Sequence, residues 1–269
     1  MRVVAAVSVG VFVLSTLPAA QQAGTGAAAA PGSRAGLAVP RREAIVPFKV
    51  GETLTYDVAW SQYLVAGTAV ATVVEKKPSF SSTAYYIVAE GRPLPLISKL
   101  YSLYYKMDTL FDSYTTLSQR TSLYSEEGSR RRQTATLFDR SSRRVSFELN
   151  AGAGARNDFA VPTGTQDGLA LLYALRLRTF KAGDRLTVPV VDDGTVYTVA
   201  IETSGPEHLK MRLGEFDTWK LNVSVVDDQR RAVGKNIAVW MSNDARRLPL
   251  RMTADLPVGS FGFALREVR

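Results

Sequence analysis

The stretch Asp167-Gly-Leu-Ala-Leu-Leu-Tyr-Ala-Leu-Arg-Leu-Arg178 decides how the rest of the chain must fold. It breaks an otherwise two-residue alternation and reads as a helix over about 167–178. Asp167 stands near its start, and Arg176, Arg178 and Lys181 near its end, the charge order that the helix dipole favours. Leu169, Leu171, Leu172, Tyr173, Leu175 and Leu177 cover nearly all of its circumference. A helix apolar on every side must be buried, so something has to enclose it.

The flanking sequence supplies the enclosure. From residue 48 onward the period is mostly two. Leu54, Tyr56, Val58 and Trp60 alternate with Thr53, Thr55, Asp57 and Ala59, the pattern of a strand with one buried face. Similar runs are expected at 66–75, 83–90, 104–111, 117–125, 132–139 and 144–149. After the helix they resume at 185–191, 196–201, 216–226, 236–242, 248–256 and 260–268. Glu127-Gly128-Ser129, Asp139-Arg140-Ser141 and Asp192-Asp193-Gly194 suit tight hairpins. A weaker helix is expected over 96–103, and 151–165 reads as a long glycine-rich loop. The predicted fold is mainly β, a curved antiparallel sheet or half-barrel of about a dozen strands wrapping one buried apolar helix.

The beginning of the chain speaks to compartment. Met1-Arg2 precedes an uncharged run from Val3 to Leu17, and Pro18-Ala19-Ala20 offers small residues for cleavage, the layout of a signal peptide over 1–20. Residues 21–44 are rich in Ala, Gly and Pro and read as a flexible leader. Residues 45–269 then form a single β-rich domain. With no cysteine in 269 residues, neither a disulfide nor a thiol-linked lipid is available. The expectation is an exported, periplasmic protein without a transmembrane span in its mature form. An outer-membrane barrel fits poorly with a buried apolar helix and with strands rich in Arg, Thr and Ser.

Catalytic signatures are thin. His208 is the single histidine, no nucleophile-elbow motif accompanies it, and no phosphate-binding glycine loop is present. Histidine or cysteine metal clusters are excluded by composition, and Asp192-Asp193, conceivable as a carboxylate calcium site, is better explained as a hairpin tip by the Gly194 that follows; no metal, no cofactor and no catalytic residue is assigned. A hydrolase is the least favoured reading.

Two residue sets point to binding instead. Trp60, Tyr101, Tyr105, Leu172, Tyr173, Trp219 and Trp240 are candidates to line an apolar cavity inside the curved sheet, the plainer alternative being ordinary core. Of 24 arginines, eight fall between Arg120 and Arg156 against four acids. Arg130, Arg131, Arg132, Arg143 and Arg144 are candidates to hold an anionic lipid or glycolipid headgroup; alternatively they keep hairpin tips soluble and block edge pairing. Nucleic acid is not an expected partner for an exported protein, despite the net charge of +8.

Three segments resemble the bacterial exported family known as domain of unknown function 3108. They are Phe48-Lys-Val-Gly-Glu-Thr-Leu-Thr-Tyr-Asp-Val-Ala-Trp60 with Ala66-Gly67-Thr68-Ala69, the helix from Gln166 to Arg176, and Val239-Trp-Met-Ser-Asn-Asp-Ala-Arg-Arg-Leu-Pro-Leu250 running on to Gly259-Ser-Phe261. Ala170 stands where that pattern often has serine. The resemblance implies a single β-rich domain of the bacterial envelope and supplies no reaction and no functional residues. It also implies an analogy to the half-barrel shape of envelope lipoprotein carriers. The expected function is a non-enzymatic binding or carrier module for an apolar or lipid-like ligand, with a structural or interaction role toward an envelope protein partner as the alternative.

Overall fold

A computed structural model describes residues 42–269 apart from 62–63, 100–101, 150–153 and 258. The expected signal peptide and nearly all of the leader therefore lie outside the described residues, as does Tyr101. No described helix is long and apolar enough to cross a membrane.

Strands β1 (Thr53–Trp60), β2 (Leu64–Ser79) and β3 (Ser82–Pro93) lead to a single helical turn, α1 (Pro95–Ser98). Then come β4 (Leu103–Asp112), β5 (Ser118–Glu127), β6 (Arg130–Asp139), β7 (Arg144–Leu149) and β8 (Arg156–Ala160). Helix α2 (Gly168–Leu175) separates these from β9 (Arg185–Asp192), β10 (Thr195–Met211), β11 (Gly214–Val226), β12 (Lys235–Ser242), β13 (Pro249–Leu256) and β14 (Gly259–Val268). All fourteen strands form one antiparallel sheet in the order β8-β7-β6-β5-β4-β3-β2-β1-β14-β13-β12-β11-β10-β9. Every ladder joins strands adjacent in sequence except one seam, where β1 meets β14 from Leu54↔Val268 to Trp60↔Phe261, and the consecutive strands β8 and β9 are the two edges.

Three expectations need correction. The loop over 151–165 contains β8, which pairs with β7 from Arg144↔Ala160 to Glu148↔Arg156. Its residues are mostly exposed, so no alternation betrays it. The strand expected over 196–201 runs on to Met211, past a register shift at Gly205. The second helix is one turn without a buried residue, because Leu103 already belongs to β4.

Helix α2 is buried at seven of its eight positions. Asp167 caps it: one carboxylate oxygen accepts from the Ala170 N–H at 2.9 Å and the other from the Thr109 hydroxyl at 2.7 Å. The Asp167 N–H donates to Ser118 Oγ at 2.9 Å. Beyond Leu175 the chain tightens into i→i+3 bonds, Leu177 N–H to Ala174 O and Arg178 N–H to Leu175 O, so the helix ends earlier than its composition suggests.

The helix divides the core. Leu171, Leu172 and Leu175 pack with residues of β1 and of β9 to β14, whereas Leu169, Ala170 and Tyr173 pack with Phe48 and residues of β2 to β5. A third cluster, Phe138, Val145, Val161 and Val191, joins β6 and β7 to β9. The two ends of the sheet thus approach each other without pairing. Arg132 bonds Asp193 across this gap, and Arg140 donates to the carbonyls of Thr165, at 2.5 Å, and Ser118. Gln166 seals part of the β9 edge through a parallel bridge to Val190. At the other side of the helix a buried ion pair is formed: Arg176 reaches Glu52 with two bonds of 2.5 and 3.0 Å and the Arg246 carbonyl at 3.1 Å. Arg176 therefore serves Glu52, and its expected role at the helix dipole is secondary.

One glycine is required by packing. A Cβ on Gly67 would lie 2.5 Å from the Arg92 carbonyl oxygen of the paired strand β3.

Candidate functional site

Between α2 and the half-sheet β9 to β14 lies an apolar cavity of about 130 Å³. Leu171, Leu172 and Leu175 of the helix form one wall, and the opposite wall includes Val199, Val225, Met252 and Phe263. β9, β10, β11 and β14 line it with every second residue, as at Tyr197, Val199 and Ile201, whereas β12 and β13 each contribute three residues in succession. The helix presents Leu171 and Leu172 here because their neighbours Leu169 and Tyr173 already occupy the other core.

Asp192 is the one carboxylate among the lining residues. As a whole the residue is half-buried, yet its Oδ2 is sealed from solvent and has no hydrogen-bond partner. Burial, reinforced by the neighbouring charge of Asp193, pushes its pKa up to about 8, while Arg132 pulls the other way. Thr253 also lines the cavity, but its hydroxyl is spent on the Asn236 carbonyl at 3.2 Å. Tyr197, buried beside them, is held in its phenol form chiefly by desolvation.

Asp192 was legible in part. The turn Asp192-Asp193-Gly194-Thr195 is the expected hairpin tip, with φ of 49° at Asp193 and 74° at Gly194, as a two-residue turn of this kind requires. The missed signal is parity. Val188 and Val190 are buried, and Asp192 continues the same face of β9.

The expected aromatic lining is mostly misplaced. Of the described candidates only Leu172 faces the cavity. Tyr173 stands on the opposite side of α2, edge-on to Phe48 with ring centroids 5.1 Å apart, and its buried hydroxyl has no partner. Tyr105 belongs to that same second core and donates to Glu127. Trp60 is half exposed and stacks on Phe261. Trp219 is half-buried and donates to Asn243 at 3.0 Å. Trp240 donates to Glu207 at 2.6 Å, with Lys220 and Arg251 about its ring. Burial alone does not place an aromatic; the direction of its side chain does.

The arginines do not form one patch either. Arg130, Arg131 and Arg132 begin β6 beside the β5–β6 turn, and Arg143 and Arg144 lie past its far end, at the β6–β7 turn. That is a separation of roughly 23–30 Å at about 3.3 Å per residue. Arg132 is taken by Asp193, Arg131 lies 3.6 Å from Glu126, and Arg144 donates to the Asp158 carbonyl. A shared headgroup site made of all five is thereby excluded. His208 is exposed beside Asp217 and Glu215 on the β10–β11 hairpin, remote in register from the cavity end of these strands. Among the described residues no group of three or more His, Cys, Asp or Glu side chains could hold a metal ion.

The profile of the family described as protein of unknown function DUF3108 matches residues 55–266. The chain belongs to this family. The resemblance drawn from Phe48–Trp60, the helix and the Val239–Phe261 segment is thus confirmed over nearly the whole sheet. Among solved structures, a β-barrel-like protein of domain of unknown function DUF1849 from Brucella abortus is 12% identical. Its TM-score is 0.49, covering 81% of this chain and 97% of its own. A protein described as exported, with a YmcC-like fold, from Bacteroides fragilis is 9% identical with a TM-score of 0.37, covering 85% of this chain and all of its own. No functionally curated protein matches the chain.

Proposed function

We propose that this DUF3108 protein is an exported, non-enzymatic binding or carrier module that holds an apolar ligand between α2 and β9 to β14. The supporting observation is the cavity itself. Well-packed interiors keep few voids larger than a water molecule, and an apolar void of this size stays dry and takes up small apolar molecules. At about 130 Å³ it is comparable with engineered cavities of about 150 Å³ that bind benzene. The N-terminal signal-like segment supports export, and the periplasm is the compartment it implies. A lipid-like molecule would enter by its chain end, since the cavity holds only about a ring's worth of atoms.

The alternative, an interaction protein that offers a sheet edge to an envelope partner, has less support. The β8 edge carries exposed Arg156, Asn157 and Asp158, a charged edge of the kind that discourages pairing. Titration of the purified protein with ethylbenzene, followed by NMR and by thermal melting, tests the carrier reading. Saturable binding with a raised melting temperature is expected. Shifts confined to surface residues, with no gain in stability, would refute it. Cell fractionation checks export: recovery in the cytoplasm with residues 1–20 still attached would contradict it.

A further inference from the structure

The orphaned oxygen of Asp192 says what kind of molecule the cavity is built for. Buried polar groups almost always have a partner, and one left without costs free energy that the fold must otherwise carry. Asp192 could have been avoided at no cost to the turn, because Asp193 and Gly194 already supply the required positive φ. Its Oδ2 is instead sealed off and unpartnered, and the residue is the single carboxylate lining a wall that is otherwise almost wholly apolar.

The surroundings discriminate among ligand head groups. The charged groups acting on Asp192 are Asp193 of the same turn, Asp167 at the start of α2, and Arg132 of β6; Tyr197 of β10 is the other titratable neighbour. Arg132 is already bonded to Asp193. A carboxylate or phosphate head would therefore meet negative neighbours and no free cation among these groups. An ammonium head would leave water for a wall with one acceptor, and desolvating an ion costs several kcal/mol. At neutral pH the Asp192 carboxyl is mainly protonated, so it carries an O–H donor and no charge to balance a cation.

We infer that the cavity binds an apolar group bearing one uncharged hydrogen-bond acceptor, such as a ketone or ester carbonyl, and that Asp192 donates a hydrogen bond to it. This rests on the cavity-binding reading above and adds the polar end of the ligand. A chain whose leading end carries a ketone or a methyl ester has the required chemistry.

Four ring-sized probes separate the head groups: ethylbenzene, acetophenone, benzoate and benzylammonium. Dissociation constants are measured by NMR titration at pH 6 and pH 9.5, on the wild-type protein and on Asp192→Asn and Asp192→Leu. Acetophenone should bind about tenfold tighter than ethylbenzene at pH 6, the worth of one net hydrogen bond. That advantage should vanish at pH 9.5, where the carboxyl is ionised and donates nothing. Asp192→Asn, whose amide N–H donates at every pH, should keep it at both. Asp192→Leu should lose it while ethylbenzene still binds. Ethylbenzene binding with no preference for acetophenone would overturn the head-group inference and leave the carrier reading standing. Tightest binding of benzoate or benzylammonium would overturn it in favour of a charged head. Failure of every probe to bind would bring down both.

Discussion

Removing Glu52 should expose how much of the fold hangs on a single buried charge. Arg176 has a fully buried side chain and Glu52 one that is 10% exposed. Two charge-assisted bonds link them, and the guanidinium also lies 5.3 and 5.4 Å from the ring centroids of Phe48 and Tyr173. Its Nε has no partner even in the intact protein. In Glu52→Ala the guanidinium keeps one bond, to the Arg246 carbonyl, and its charge is left without compensation. Breaking such a pair from one side costs about 3–5 kcal/mol. For a domain of this size each kcal/mol lowers the melting temperature by about 2–4 °C, so a fall of roughly 6–20 °C is expected. Arg176→Met should cost a similar amount, by stranding Glu52. The double replacement Glu52→Leu with Arg176→Met should recover most of the loss, because an apolar pair removes both desolvation costs together. Thermal and urea unfolding followed by circular dichroism, run as a double-mutant cycle, measures each arm. A Glu52→Ala protein melting within a degree or two of wild type would show that water reaches the guanidinium and that the pair is not buried in solution.

Further outcomes are expected. Leu169→Ala should fall at the upper end of about 2–5 kcal/mol and Leu172→Ala at the lower end, since Leu172 already faces empty space; equal losses by urea titration would contradict a cavity on that side only. Leu172→Asp should abolish soluble folded protein, and wild-type melting of that variant would place α2 at the surface. Asp192 has a folded pKa near 8 against an ordinary carboxylate value of 3.8, so its contribution to stability is complete below pH 4 and is lost as pH rises toward 8. Asp192→Asn should flatten that decline in melting temperature, and an unchanged profile would assign the decline to other groups. Arg130→Glu with Arg131→Glu should leave melting unchanged, whereas Arg132→Glu, set against Asp193, should lower it; the reverse order would mean the turn is misplaced. Gly67→Ala should destabilise through its clash with the Arg92 carbonyl, and a neutral result would require β2 and β3 to part locally.

The architecture was readable where one physical requirement dominated a stretch of chain. Helix α2 announced itself because eight apolar or small residues in succession cannot face water, and its cap because Asp167 precedes them. The hairpins were readable from residues able to take positive φ, as at Asp193 and Gly194. Strand β8 was not, because its residues are mostly exposed and carry no alternation. The far half of β10 was hidden by Ser204-Gly205-Pro206, which reads as a break but is accommodated by a register shift. Ligand-facing residues depend on parity and on tertiary position. Trp240 is buried among charged side chains, so being aromatic and buried did not put it in the cavity. The Glu52–Arg176 pair joins positions 124 residues apart, and no local pattern encodes it.

The single seam between β1 and β14 has a consequence for assembly. Every other pairing joins strands that follow one another, so it can zip up as soon as a hairpin forms, with little loop entropy to overcome. The seam alone ties residue 54 to residue 268, and Thr53 and Arg269 exchange a pair of backbone bonds of 3.0 Å beside it. Until the last strand has emerged, β1 offers a bare edge to any other extended chain, including another copy at the same stage of synthesis. The described chain also enters and leaves the sheet side by side. A linker from Arg269 to the segment before Phe48, long enough to leave Phe48 and Glu52 in place, would therefore let new termini be opened at the β6–β7 turn, turning the slowest contact into a local one. Such a permutant should refold faster than the natural order of strands while keeping the same cavity.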